Sequence, residues 1–360
     1  MLRFRIHTIK VTLVTISQLV EESGAQMRIF DLGRRITKIS KKDFADFEQL
    51  GKAYPTPYLK HAWIAVLSWN PKKAGQHNIW FLKLPLDEQN ILQPGPRDAF
   101  LQHWLRVVAD PDKEHGEAPC SFKPDQNRMA YFHAVSLITL AQPATQYYAT
   151  ARAYLSGDLG WDNWQQLGLQ GLAEVVARIA EDNNERLLAQ AIGQMPAVPR
   201  NVLLGYLENS QPGHELTVAI NDCLSTVVAA GPQAADLAAF ARALSNSVNE
   251  QQRQLLLQAI LAHPVSQSVE VLAAIGSRCW HDLEGELLKA YLECLAVNEQ
   301  GDNAFMALVA DLMTLAGMRE RILTVFRSPE RSDALSRAIG KLMNLVSANT
   351  GSGPGGGSVQ

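Results

Sequence analysis

Two runs decide the fold: HAWIAVLSW at residues 61–69 and HNIWFLKLP at residues 77–85, separated by NPKKAGQ. Both are rich in aromatic and β-branched residues, which suit a pleated, half-buried surface. The polar spacer holds both proline and glycine, so the pair reads as two strands joined by a turn. A period of two puts Trp63, Ala65, Leu67 and Trp69 on one face of the first strand. Trp80, Leu82 and Leu84 share one face of the second.

Working outward, residues 26–32 (QMRIFDL) and 35–40 (RITKIS) read as two more strands around Gly33. Residues 13–23 read as a short helix ended by Gly24. Residues 41–51 form another, capped by Ser40, with Phe44, Phe47 and Leu50 at helical spacing. Tyr54-Pro55-Thr56-Pro57 forces an extended connector, because each proline disfavours helix at the residue before it. A further helix covers 97–109, with Phe100, Leu101, Trp104, Leu105 and Val108 as its apolar stripe. The expectation is a small four-stranded antiparallel sheet packed on one or two helices.

Residues 110–127 form a polar loop with Pro111, Gly116, Pro119 and Pro124, where the main boundary is expected. Beyond it the helical period takes over. Leu169, Leu172, Val176 and Ile179 make one stripe, and Leu216, Ile220, Cys223, Leu224 and Val227 another. Leu283, Leu287, Tyr291 and Leu295 make a third. Trp161, Pro196, Pro232, Pro264 and Gly301 punctuate this half at nearly even spacing, each opening a segment that divides into two helical stretches. A period of about 35 residues with two helices per unit is that of stacked hairpins of the HEAT or armadillo kind. The fold class is therefore α+β: a small N-terminal four-stranded antiparallel sheet with helices, then a mostly helical, HEAT-like array. The expected division is an extension over 1–12, an α/β module over 13–110, the array over 128–348 and a disordered tail over 349–360.

The chain carries 33 Lys/Arg and 36 Asp/Glu, with 47% hydrophobic residues, an ordinary globular composition. Residues 1–110 hold 16 basic and 10 acidic side chains, the remainder 17 and 26. A basic head facing an acidic body could attract nucleic acid or an acidic partner. The opening MLRFRIHTIK and VTLVTI superficially resemble a secretory signal. The apolar run is too short for a signal core and lacks a cleavage pattern, so an N-terminal extension is preferred. No stretch is long enough for a membrane span. Cys120, Cys223, Cys279 and Cys294 form no CxxC pair and read as buried thiols in a reducing compartment.

Chemical motifs are scarce. Gly351, Gly353 and Gly356 match GxGxxG literally, but no strand or helix flanks them to cradle a phosphate. His115 with Cys120, or Cys279, His281 and Cys294, lack the close ligand pairs of a zinc site. Neither a metal nor any other cofactor is expected. Arg34, Arg35, Lys38, Lys41 and Lys42, with Trp63, Trp69 and Trp80, could form cations beside a stacking platform for single-stranded nucleic acid. The simpler reading packs the tryptophans against helices and leaves the cations solvated. Lys83, Asp87, Glu88, Arg97 and Asp98 could form an acid/base group. More commonly such residues cap helices and pair locally.

Several segments together resemble a known family: RIFDLGRRI at 28–36, Phe47-Glu48, YPTP at 54–57, Ala62-Trp63, IWFLKLPLDEQ at 79–89 and Arg97-Asp98. This is an uncharacterised bacterial family, known from gammaproteobacteria only as a domain of unknown function. The resemblance extends over nearly all of the chain beyond residue 13, with its specific motifs confined to 28–98. It implies a bacterial, cytoplasmic protein, and it supplies no activity, cofactor or site. The leading expectation is a non-enzymatic protein-interaction or scaffold protein whose array takes a protein or peptide partner. The alternatives are nucleic-acid binding through the basic head, or an enzyme of unknown reaction.

Overall fold

A computed structural model describes residues 15–72, 76–110, 113 and 115–351. The expected extension over 1–12 lies outside the described residues, as do the last nine of the expected tail. Four strands, β1 (Gln26–Asp31), β2 (Thr37–Ile39), β3 (His61–Trp69) and β4 (His77–Pro85), form one antiparallel sheet in the order β2-β1-β3-β4. The expected four-stranded antiparallel sheet followed by a helical array is the fold observed. β3 and β4 coincide with the aromatic and β-branched runs at 61–69 and 77–85.

Three helices surround these strands: α1 (Ile16–Glu22), α2 (Lys41–Glu48) and α3 (Pro94–Ala109). Ser40 caps α2, its hydroxyl accepting from Asp43 N–H at 3.0 Å, which satisfies one of the helix's orphan amides. α3 begins three residues earlier than its apolar stripe suggests. Pro94 takes the first helical position, where proline's preset φ and missing N–H are no handicap.

The helices cover one sheet face. Met27, Ile29, Ile64, Val66, Leu82 and Leu84 form a core with Phe44, Phe47 and Phe100. The other face is covered as well. Helix α4 (Gln126–Thr139) sets Phe132 edge-on against Phe30 and Phe81, with ring centroids 5.5 and 5.3 Å apart. Both faces being buried explains why β3 reads as a near-continuous apolar run, with Ile64 through Leu67 inaccessible to solvent. The loop before α4 also closes the outer edge of β4. Lys83 N–H donates to Cys120 C=O at 2.7 Å, and Phe122 N–H to Phe81 C=O at 3.1 Å.

The chain divides into two compact units. The first runs to Tyr148 and includes Gly168–Ala177, and the second takes Ala149–Leu167 and the chain from Arg178 onward. The cut falls within α5 (Gln146–Leu155), and α6 (Leu169–Ala177) packs on α4 in the first unit.

In the second unit the helices are α7 (Asn184–Ala191), α8 (Ala197–Leu207), α9 (His214–Ala230), α10 (Ala234–Leu244) and α11 (Glu250–Leu261). They continue with α12 (Val269–Arg278), α13 (Gly285–Ala296), α14 (Asp302–Leu312), α15 (Met318–Arg327) and α16 (Asp333–Gly351). Each packs on the helix two positions along, giving two layers. Even-numbered helices stack in one layer, odd-numbered helices in the other. The punctuating residues Pro196, Pro232, Pro264 and Gly301 all precede an even-layer helix. Helix α10 is buried from Leu237 through Ala241 and again at Ala243 and Leu244, so most of its circumference is apolar, as suits a helix flanked by neighbours. α16 continues through Asn349 and Thr350 to Gly351.

Candidate functional site

The first unit holds the residues singled out from the sequence, and its register separates several of them. Cross-strand partners share a face. Trp63 pairs with Lys83, whereas Trp80 pairs with Val66, one residue out of phase. Trp63 and Trp80 therefore lie on opposite faces, and no single platform holds both. Trp80 packs edge-on against Phe100 and Trp104 at 6.0 and 5.9 Å. Trp63 donates its indole N–H to Tyr58 C=O at 2.9 Å, meets Phe122 at 4.8 Å and carries the Lys83 ammonium 4.5 Å above its ring.

The cations also divide. Arg34 is only 1% exposed. Its Nε donates to Pro57 C=O at 2.9 Å and its guanidinium lies 5.6 Å from the Tyr58 ring. It pins the YPTP connector to the strand pair. Arg35 is half-buried, while Lys38, Lys41 and Lys42 are exposed.

The acid/base group does not assemble. Asp87 folds back on its own turn, accepting from the N–H groups of Gln89 and Ile91 at 2.8 Å each. Glu88 is exposed beside it. Buried Arg97 holds Asp98 at 2.9 and 2.7 Å and donates to the Glu48 carbonyl. These contacts cap and tie local structure. The imagined metal ligands are likewise engaged locally. The Cys279 thiol donates to Ala241 C=O at 3.3 Å and the Cys120 thiol to Pro96 C=O at 3.6 Å, while His281 lies against Trp280. Among the described residues no three of His, Cys, Asp and Glu converge as a metal set.

Two buried carboxylates that the sequence reading passed over organise this unit. Asp31 accepts from Gly33 N–H at 2.6 Å and from the Thr56 hydroxyl, with the Tyr54 phenol alongside. Glycine at 33 keeps this corner uncrowded, since a Cβ would stand 3.1 Å from the Asp31 carboxylate and 3.2 Å from Tyr58. Burial pushes the Asp31 carboxyl up to about 6. The hydrogen bonds from Thr56 and Gly33, the nearby Tyr54 phenol and the charge of Arg34 pull the other way. Glu48 accepts from Ile16 N–H at 2.7 Å, Ser17 N–H at 3.0 Å and the Ser17 hydroxyl at 2.6 Å. It caps the amides at the start of α1. Burial raises its pKa too, against the Ser17 and Ile16 hydrogen bonds and the charge of Arg97.

Both carboxylates left a signal. Asp31 has the same strand parity as Met27 and Ile29, and Glu48 lies one helical turn from Phe44, so each belongs to an apolar face.

A cleft of about 220 Å³, open to solvent, lies where the edge of β2 meets α2 and residues 52–56. Thr37, Lys38 and Ile39 form its strand side, Phe44 and Phe47 line it from α2, and Tyr54 and Pro55 complete it. Lys52 reaches Asp43 at 2.6 Å.

The second unit has an open recess of its own, lined by Pro232, Gln233, Pro264, Val265, Ser268 and Glu299, and a polar scaffold. Hydrogen bonds recur across about one repeat. Asn201 joins Asp236 at 2.8 Å over 35 residues, Asn246 joins Ser210 at 3.0 Å over 36, and Asn221 joins Gln252 at 3.0 Å over 31. Arg253 grips the buried Asp282 at 2.8–3.0 Å over 29 residues. The Arg278–Glu208 pair, at 2.8 and 3.3 Å, spans 70 residues and so ties α12 to α8 past the intervening α10.

Fold and site together define an α+β protein, with a two-faced four-stranded sheet followed by a two-layered helical array. A family model described as protein of unknown function, DUF3549, matches residues 11–343, and the chain belongs to that family. No curated protein and no solved structure matches the chain. No helix among the described residues is long and apolar enough to cross a membrane.

Proposed function

We propose that this protein is a non-enzymatic interaction or scaffold protein whose HEAT-like array takes a protein or peptide partner. The observation that carries this reading is the layered packing of α7 to α16, with polar links between neighbouring hairpins. Stacked hairpins of this kind bury a continuous core while leaving a long surface available to partners. A bacterial, cytoplasmic setting accords with the four free cysteines and with a family resemblance of gammaproteobacterial type. Nucleic-acid binding through the head receives less support, because Arg34 is buried and Trp80 faces away from Trp63.

A photo-crosslinking residue placed at the exposed Leu255 of α11, in the full chain inside its native cell, tests the reading. A discrete protein adduct, absent when the same residue replaces the exposed Leu105 of the head, is the expected result. Adducts to RNA alone, or equal labelling from both positions, would overturn it.

A further inference from the structure

We propose that the open edge of β2 is a second docking site, taking an extended acidic segment of a partner protein as an added strand. Among the described residues, the sheet order leaves β2 paired on one side only. Leu32 N–H donates to Trp63 C=O, so even-numbered β1 residues bond toward β3 and odd-numbered ones toward β2. The β2 partners of Ile29 and Asp31 are Ile39 and Thr37. Lys38 therefore turns its backbone N–H and C=O away from the sheet, as an edge that accepts another strand does.

The surroundings specify what that strand would carry. Alternate side chains of an added strand point to opposite faces. One set would enter the cleft beside Ile39, Phe44, Phe47 and Pro55, which suits apolar residues. The other set would leave the sheet on the face of Lys38, which pairs with Phe30, while two further exposed lysines stand beside the cleft. Lys41 and Lys42 occupy the first turn of α2, where the helix dipole disfavours cations. Their positive charge adds to that of Lys38 and of the helix N-terminus. The nearby Asp43 is paired with Lys52 and accepts from the Ser40 hydroxyl. A lysine on a short edge strand also blocks unwanted pairing, but that role accounts for neither the cleft nor the two lysines at the helix start.

The test uses the full chain and a labelled synthetic peptide alternating valine with glutamate, against its valine–lysine counterpart and single-stranded RNA. The acidic peptide is expected to bind at low salt and to slow amide exchange at Lys38. Combining Lys38→Glu, Lys41→Glu and Lys42→Glu should weaken binding by about tenfold or more, with the circular dichroism spectrum unchanged. Lys38→Pro, which deletes the outward N–H and is tolerated on edge strands, should weaken it independently. Equal binding of the lysine peptide, retention after charge reversal, or protection away from β2 would each overturn the proposal. Binding of RNA in place of the peptide would overturn it in favour of nucleic acid.

Discussion

The two units hold together by different means. In the sheet-bearing unit each polar contact is made once: Arg34 to Pro57, Asp31 to Thr56, Glu48 to the start of α1, Arg97 to Glu48. In the array, polar links of several kinds join residues about one hairpin apart, from Asn201–Asp236 to Lys341–Asp302. A unit built from single-use contacts concentrates its distinctive residues, and the family-like motifs all fall there. A unit built from repeated contacts distributes the same task over many interchangeable positions. Motif density in this chain thus follows construction as much as function.

The largest expected effect breaks the first unit alone. Phe132→Ala removes a fully buried ring that meets both Phe30 and Phe81, and should cost about 3–5 kcal/mol. Urea unfolding followed by tryptophan fluorescence should show an early transition for the sheet unit, with the helical signal of the array persisting. A single shifted transition would show instead that the two units unfold together.

Next comes the array's longest link. Arg278→Ala strands Glu208 with its partner gone and should cost about 3 kcal/mol. The paired change Arg278→Met with Glu208→Leu should recover most of that loss. Failure of the double variant to recover would mean that the pair sets the register of α8, α10 and α12 rather than merely satisfying buried charge.

A third expectation concerns pH. The Asp31 carboxyl titrates near 6 in the fold against 3.8 for the ordinary group. Between those values the folded unit holds a proton that the unfolded chain has lost. Stability from this group is complete below about pH 4 and falls by roughly 3 kcal/mol as the pH rises through 6. Asp31→Asn should remove that fall, so stability curves of the two proteins should converge toward acid and part toward neutrality. Parallel curves would locate the titration elsewhere.

The smallest effect sharpens the picture of the even layer. Gly276 of α12 lies where a Cβ would come within 2.6 Å of the Tyr291 hydroxyl, itself donating to Leu272 C=O at 3.2 Å. Gly276→Ala should therefore destabilise by about 1–2 kcal/mol, although alanine is the better helix former. Thermal melting of the single variant measures this directly, and Tyr291→Phe in the same background should relieve part of the cost.

Much of the fold was legible because local patterns carried it. The alternation and composition of 61–69 and 77–85 marked β3 and β4, Ser40 marked the start of α2, and the proline punctuation marked the even-layer helices. The candidate site was less legible. Trp63 and Trp80 looked like neighbours because strand parity gives faces within each strand but not the offset between strands. Arg34 read as one of a solvated basic run, although its guanidinium closes on the Pro57 carbonyl and the Tyr58 ring.

The sequence by itself determined where strands and helices form and the period at which the array repeats, since these depend on residues close along the chain. Only the tertiary structure decided that the sheet is covered on both faces, that Asp31 meets Thr56 and Glu48 meets α1, and that β2 keeps an open edge beside a cleft. Those outcomes depend on register and on contacts between residues far apart in sequence. Periodicity encodes which residues share a face, but not which distant face that one will meet.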